Sequence, residues 1–304
     1  MRQWLNKLGH SASDINRLNI VHVAGTKGKG STCAFINSFL KTHGERTGFP
    51  RKVGLYTSPY LICPEEQIRI NFKPLSRDLF AKYFFEVDNI LSQSLPEFDI
   101  RPRYLQSFAL LSLHAFIREG VDAAIIETHH GGEFDSTNVI EKPLVTAITP
   151  LGIDHIKQLG SSIESIAWHK AGIFKSGAIA FSAPQESTAM EVLRKRGSEK
   201  SINLQFVDID PLLPADIVQL QPDVQRVNCS LALACVRSFL AQKSKGSLSI
   251  SDILQGISQF SWPGRFQLVI EDRFQWFLDS AHNEMSVGIA AKWFLESSQM
   301  HRYI

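Results

Sequence analysis

Residues 19–31 read Asn19-Ile20-Val21-His22-Val23-Ala24-Gly25-Thr26-Lys27-Gly28-Lys29-Gly30-Ser31. The first six residues are mostly apolar and β-branched, which indicates a strand covered on both faces. Apolar residues at helical spacing from Thr32 to His43 indicate that a helix follows the glycine-rich turn. Glycines let backbone N–H groups approach a ligand, and the start of a helix adds the positive end of its dipole. The pattern predicts a phosphate-binding loop.

The lysine of this loop, Lys29, lies between Gly28 and Gly30 and is followed after one residue by Ser31. A mobile cation among glycines gains little in an ordinary turn but can meet phosphate oxygens, so we expect these four residues to bind a nucleotide. The spacing GTKGKGS differs from the standard GxxxxGK[ST]. Because no other kinase or GTPase signature follows, a generic P-loop kinase or GTPase is the least favoured interpretation.

Composition excludes several classes of protein. The 304 residues are 44% hydrophobic, and 32 basic against 30 acidic residues give a formal charge of +2, which makes no case for binding nucleic acid. No run approaches the roughly 18 apolar residues of a membrane span. The four cysteines lack metal-ligand spacing, and the N-terminus has no signal-peptide core. We expect a cytoplasmic protein, with a mitochondrial form not excluded.

Polar residues follow three further predicted strands, at 53–57, 121–126 and 144–148. Ser58 follows the first strand, Glu127 the second, and Asp154-His155 comes shortly after the third. The order of strands and helices predicts parallel pairing, so these carboxyl ends should meet at one crevice together with Lys29. Glu127 is there a hard oxygen ligand suited to Mg²⁺.

Two adjacent histidines, His129 and His130, suggest a transition-metal site as an alternative. Neighbouring residues of an extended segment point to opposite faces, and no third histidine or cysteine lies at ligand spacing. The transition-metal site is therefore disfavoured.

Five motifs in order resemble the folylpolyglutamate synthases of the Mur-ligase superfamily, over about residues 1–296. They are the loop HVAGTKGKGST at 22–32, Thr57-Ser58-Pro59, Gly131-Gly132-x-x-Asp135-x-Thr137-Asn138, Gly152-x-Asp154-His155 and Trp262-Pro263-Gly264-Arg265. The resemblance implies an α/β fold whose mostly parallel sheet is flanked by helices. It implies an ATP-binding Mur-ligase central domain over residues 1–261. Residues 262–304 would be a second α/β domain that is incomplete here.

The resemblance also implies roles for individual residues. Ser58, Glu127 and His155 would be magnesium ligands, and a carbamylated Lys170 would reach a second Mg²⁺. Arg265 would touch the nucleotide phosphates, and Asp279 and His282 would complete the ATP site from the second domain. The sequence departs from the family pattern at the following residues: Thr128, His129, His130, His169 and Ser280.

The reaction implied by the resemblance is ATP-dependent addition of glutamate to tetrahydrofolate, in one-carbon metabolism. A folate carboxylate would attack the γ-phosphate of ATP, and the amino group of glutamate would then displace phosphate from the acyl phosphate. Two alternatives stay open: ligation of a different carboxylate, and a truncated or divergent paralogue that binds ATP without ligating folate. Because the second domain looks incomplete, we expect residues 1–304 alone to ligate folate little or not at all.

Overall fold

The computed structural model describes residues 1–93 and 101–300, and its dominant feature is an eight-stranded sheet. The strands are β1 Val21–Ala24, β2 Val53–Tyr56, β3 Ile68–Ile70, β4 Lys73–Pro74, β5 Ala123–Glu127, β6 Val145–Ile148, β7 Ile179–Ser182 and β8 Asn203–Phe206. Their order across the sheet is β4-β3-β2-β5-β1-β6-β7-β8. Neighbours from β2 to β8 pair in parallel, while β3 and β4 are antiparallel. The predicted α/β fold is confirmed.

Helices cover both faces of the sheet. They are α1 Arg2–Lys7, α2 Ala12–Arg17, α3 Lys29–Thr47, α4 Arg77–Gln93, α5 Tyr104–Arg118, α6 Ile156–Leu159, α7 Ile163–Lys170, α8 Ser187–Glu199, α9 Val224–Gln242 and α10 Ile250–Ser258. Because side chains alternate along a strand, Val21 and Val23 pack with α3, α9 and α10, whereas Tyr56 and Ile126 pack with α4 and α5. Both faces of the central strands are buried, as their continuous apolar sequences predict.

The start of helix α3 differs from the sequence-based expectation. Helix α3 begins at Lys29, three residues before the apolar pattern starts, because Gly28 already ends the loop in a left-handed conformation. Strand β3 has partners on both sides, and the outer strand of the sheet is β4. Pro74 suits that outer position, since proline has no N–H to donate to a further strand.

A smaller unit follows the sheet. Strands β9 Gln267–Glu271 and β10 Phe274–Leu278 form an antiparallel hairpin, and α11 Glu284–Met300 packs against it. Trp293 of α11 is buried against the rings of Phe266 and Phe277, whose centroids lie 5.5 and 5.4 Å away. The division of the chain after residue 261 stays a prediction, and residues 301–304 lie outside the described residues. None of the helices in the described ranges is long and apolar enough to span a membrane.

Candidate functional site

The glycine-rich loop connects β1 to α3 and has a backbone that other residues could not adopt. Gly28 has a φ of +83°, and a Cβ there would lie 2.2 Å from the Asn228 side-chain oxygen. A Cβ on Gly25 would lie 1.8 Å from Thr149 Oγ1. Gly28 is the N-cap of α3 and has no side chain to accept hydrogen bonds from the first N–H groups of the helix. Those N–H groups are therefore available to an anion.

A cavity of about 430 Å³ lies between this loop, the carboxyl ends of the parallel strands and the small C-terminal unit. Every sequence-predicted site residue except Lys170 lines it. These lining residues are Gly28, Lys29, Gly30, Ser31, Ser58, Glu127, His155, Arg265, Asp279 and His282. The strand-end geometry that predicted one shared crevice therefore holds for residues that are far apart in the sequence.

Glu127, the last residue of β5, is 4% exposed. One carboxylate oxygen lies 3.9 Å from the ammonium of Lys29, and the other accepts a hydrogen bond of 3.3 Å from the backbone N–H of Ser58. Burial raises the pKa of the Glu127 carboxyl, and the charge of Lys29 opposes that rise. These contacts use only part of the roughly four acceptor positions of the Glu127 carboxylate, so it can still bind a cation. The oxygens of Glu127 and Ser58, with the imidazole of His155, form a donor set that fits Mg²⁺.

His155 precedes α6 and has a left-handed backbone, with a φ of +49°. This conformation turns its ring into the cavity, where it lies against the ring of His130 with 4.3 Å between centroids. Burial lowers the pKa of both imidazoles. Neutral imidazole is the form that can coordinate a cation, so the environment of His155 favours a ligand role.

His129 points the other way from its neighbour and belongs to a buried polar network. Its Nε2 lies 2.7 Å from the hydroxyl of Tyr56, and its Nδ1 lies 3.2 Å from Asp135. Asp135 also accepts hydrogen bonds from the backbone N–H groups of His129 and His130. The network fixes the loop after β5, so His129 holds the wall of the cavity in place while His130 faces into it.

Lys170 lies beneath the loop and is 1% exposed. Its ammonium donates hydrogen bonds of 2.7 Å to the carbonyl of Gly25 and 2.8 Å to the carbonyl of His130. Burial lowers the pKa of Lys170 well below its usual value, and the charge of Lys29 acts in the same direction. The side chain thus joins the phosphate loop to the loop after β5, and its carbamylation stays a prediction.

Lys27 and Asp154 also line the cavity, and of these two the sequence analysis singled out only Asp154, which comes shortly after a predicted strand. The ammonium of Lys27 lies 3.4 Å from a carboxylate oxygen of Asp154 and 3.3 Å from Nε2 of His282. The same Asp154 oxygen accepts a hydrogen bond of 3.3 Å from Asn283. These contacts connect the phosphate loop to the C-terminal unit. The place of Asp154 after a strand indicated its presence at the crevice, whereas the contacts of Lys27 were not predicted, because the direction of a long side chain cannot be read from a turn sequence.

The linker into the C-terminal unit completes the cavity. Asp279 accepts hydrogen bonds from the N–H groups of Phe266, at 2.9 Å, and Ala281, at 2.8 Å, and so shapes the chain on both sides of the hairpin. The guanidinium of Arg265, on the cavity wall, donates to the Gly264 carbonyl at 3.0 Å. Trp262 covers the loop so closely that a Cβ on Gly30 would lie 3.1 Å from the indole nitrogen.

Comparison with curated proteins gives extended matches. The chain is 45% identical over 308 residues to the folylpolyglutamate synthase of Neurospora crassa, covering 97% of this chain and 58% of that protein. It is 42% identical over 308 residues to the probable folylpolyglutamate synthase of Schizosaccharomyces pombe, covering 99% of this chain and 61% of that protein. The chain is thus similar in sequence to folylpolyglutamate synthases over nearly its whole length. The resemblance expected from the five motifs is confirmed. The chain spans about three fifths of the length of these relatives.

The fold of the folylpolyglutamate synthases also matches among solved structures. A structure described as an FPGS-AMPPCP-folate complex superposes with a TM-score of 0.86 at 27% sequence identity, covering 97% of this chain and 74% of that chain. That protein was therefore solved with AMPPCP and with folate. No family model matches the chain.

Proposed function

We propose that this chain carries the ATP-dependent, carboxylate-activating site of a folylpolyglutamate synthase-type ligase. The observation that carries the proposal is the convergence of Lys29, Ser58, Glu127 and His155 on one cavity at the start of α3. In this proposal the cavity takes ATP, and a folate-like compound with a terminal carboxylate takes the place next to the γ-phosphate. Glutamate is the amine acceptor, and a cytoplasmic location stays a prediction.

The phosphate loop supplies the binding of the nucleotide. The free N–H groups at the start of α3 and the ammonium of Lys29 face the cavity and neutralise phosphate oxygens. Lys170 supports this arrangement from below, because its hydrogen bond to Gly25 holds the first glycine of the loop. Phosphoryl transfer depends mainly on positioning and charge neutralisation, so these groups supply most of what the first step requires.

Ser58, Glu127 and His155 would hold Mg²⁺. When bound, the metal neutralises phosphate charge that one lysine cannot balance alone. The charge of Lys29, 3.9 Å from Glu127, opposes the rise that burial causes in the pKa of this carboxyl. His130 lies beside His155 and limits the directions in which that ring can turn.

The reaction then has two steps. A carboxylate oxygen of the folate-like substrate attacks the γ-phosphorus of ATP, the bond from that phosphorus to the bridging oxygen breaks, and ADP leaves with the electron pair. The amine nitrogen of glutamate next attacks the acyl carbon, the carbon–oxygen bond to phosphate breaks, and the amine loses a proton. Lys27 and Asp154 bring the C-terminal unit over the cavity, which protects the acyl phosphate from water.

Trapping of the acyl phosphate tests the proposal without requiring the second step. Purified protein is incubated with ATP, Mg²⁺, tetrahydrofolate and hydroxylamine, and folate hydroxamate and phosphate release are measured. We expect hydroxamate that depends on ATP and folate with the wild type and is lost with Glu127→Gln, which keeps the shape of the side chain and removes its charge. ATP binding without folate-dependent hydroxamate would contradict the proposal and favour nucleotide binding alone. Replacing hydroxylamine by labelled glutamate shows whether this chain also completes the ligation.

A further inference from the structure

Ser58 and Glu127, two of the proposed magnesium ligands, lie at the ends of neighbouring strands. The backbone pairing of β2 with β5 ends at Tyr56 and Ile126, which is two residues before Ser58 and one residue before Glu127. Beyond that pair, the N–H of Ser58 donates to the Glu127 carboxylate over 3.3 Å, which is long for a hydrogen bond. The backbone alone therefore holds the separation of these two side chains only weakly.

A buried side-chain contact joins the same two strand ends. His129 comes two residues after Glu127, and its Nε2 lies 2.7 Å from the hydroxyl of Tyr56, which comes two residues before Ser58. The two rings meet edge to face, with 5.7 Å between their centroids. Tyr56 is fully buried and His129 is 7% exposed. Because water is largely excluded there, the hydrogen bond is stronger than the same bond at the surface.

The ring of His129 is held from its other side by Asp135. The Asp135 carboxylate lies 3.2 Å from Nδ1 of His129, and the hydroxyl of Ser136 lies 3.1 Å from the same nitrogen. Although burial opposes the effect, the hydrogen bond from His129 lowers the pKa of Asp135, so this carboxylate is ionised and only accepts hydrogen bonds. Nδ1 therefore carries a proton directed at Asp135. Burial raises the pKa of Tyr56, so its hydroxyl keeps the proton and donates to Nε2 of the neutral ring.

Thr137 extends this network to strand β1. Its N–H and its hydroxyl donate to Asp135 at 3.0 and 2.8 Å, and its hydroxyl oxygen lies 2.8 Å from Nε2 of His22. His22 belongs to β1, the strand that leads into the phosphate loop. The polar side chains thus connect β2, the loop after β5 and β1, which are three adjacent strands of the sheet.

We propose that Tyr56 and His129 are positioning residues whose hydrogen bond sets the separation of Ser58 and Glu127 at the metal. The inference rests on the proposed function, because it takes Ser58 and Glu127 as ligands of Mg²⁺. Tyr56 and His129 act through the two residues of backbone that join each of them to a ligand. Mg²⁺ requires near-octahedral ligands at about 2.0–2.1 Å, so a small displacement of one ligand weakens binding. Groups that orient metal ligands typically change metal affinity by roughly 10- to 100-fold.

Two replacements remove this hydrogen bond with little loss of volume. Tyr56→Phe removes the hydroxyl, whereas His129→Asn keeps a donor for Asp135 near the position of Nδ1 but does not reach Tyr56. His129→Gln places a polar group near the position of Nε2 and should restore part of the effect. The matched control is Tyr83→Phe, which removes a buried tyrosine hydroxyl that donates to Glu119 at 2.6 Å outside the cavity. Thermal unfolding checks that each variant is folded.

The test is the affinity for AMPPCP, measured by calorimetry once with Mn²⁺ and once with EDTA. We expect the increase in affinity that Mn²⁺ causes to be about tenfold smaller in Tyr56→Phe and in His129→Asn than in the wild type. The affinity in EDTA should stay within about twofold of the wild type, because the phosphate loop is intact. The double variant should resemble each single variant, since both replacements break one contact. The EPR spectrum of bound Mn²⁺ should change in these variants and not in Tyr83→Phe.

The outcomes separate this inference from the proposed function. An unchanged effect of Mn²⁺ in Tyr56→Phe, an equal loss of affinity with Mn²⁺ and with EDTA, or additive losses in the double variant would each overturn the inference while the proposed function stands. If Mn²⁺ does not increase the affinity of the wild type for AMPPCP, the proposed set of metal ligands fails and the inference fails with it.

Discussion

The ammonium of Lys27 lies 3.4 Å from the carboxylate of Asp154, which joins the phosphate loop to the loop after β6. His282 and Asn283 contact the same pair from the C-terminal unit. Both charged side chains are mostly buried, at 20% and 16% exposure, so their attraction is less screened than that of a surface pair. A change in this ion pair should therefore alter how the C-terminal unit covers the cavity.

Replacement Asp154→Asn keeps the size of the side chain and removes its charge. We expect carboxylate-dependent phosphate release to fall about fivefold, since a pair of this kind contributes on the order of 1 kcal/mol, with little change in thermal stability. The matched control is Glu45→Gln, which removes a surface pair with Lys41 on α3, away from the cavity. Equal activity of Asp154→Asn and the wild type would show that the ion pair plays no part in covering the site.

Replacement Lys170→Met tests the support beneath the loop. The carbonyls of Gly25 and His130 would lose their buried donor, at a cost of roughly 1–3 kcal/mol for each unpaired group. We expect urea unfolding to show a free energy of unfolding lowered by about 2–4 kcal/mol, with weaker AMPPCP binding. The exposed Lys157→Met in α6 is the control for loss of a lysine charge. Unchanged stability in Lys170→Met would mean that the two hydrogen bonds do not hold the loop.

The buried His22 should make the free energy of unfolding depend on pH. Burial lowers the pKa of His22 from 6.5 to about 3, so the folded state keeps this ring neutral. Between pH 3 and pH 6.5 the His22 ring binds a proton in the unfolded chain but not in the folded protein. The contribution of His22 to the free energy of unfolding is therefore fully present above pH 6.5 and is lost as the pH falls toward 3. Replacement His22→Gln should flatten this acid-side loss in urea unfolding measured from pH 4 to 7. The same slope in both proteins would show that groups other than His22 cause the loss of stability at acid pH.

The sequence predicted the parts of the site that depend on chain direction and periodicity. The apolar run before Gly25 placed β1, and parallel pairing placed Glu127 and Ser58 at the same edge as Lys29. These inferences succeed because the carboxyl ends of parallel strands meet whatever residues they carry. The motif resemblance added Arg265 and the residues of the C-terminal unit.

Side-chain directions and long-range contacts could not be predicted in the same way. The resemblance implied that a carbamylated Lys170 reaches a second Mg²⁺, but it did not predict that the ammonium donates a hydrogen bond to the Gly25 carbonyl beneath the loop. The guanidinium of Arg69 lies over the ring of Trp262, and this contact joins residues almost two hundred positions apart. Such contacts depend on how packed elements meet, which neither spacing nor composition specifies.

The measurement that tests the nucleotide site most directly is calorimetric titration of AMPPCP with Mg²⁺ into the wild type and Lys29→Ala. Removing the ammonium should cost roughly 1.5–3 kcal/mol of binding free energy, which is about a tenfold to hundredfold loss of affinity. Lys41→Ala, on the same helix but away from the cavity, should bind like the wild type. Equal affinity of Lys29→Ala and the wild type would contradict the assignment of this loop as the site of the ATP phosphates.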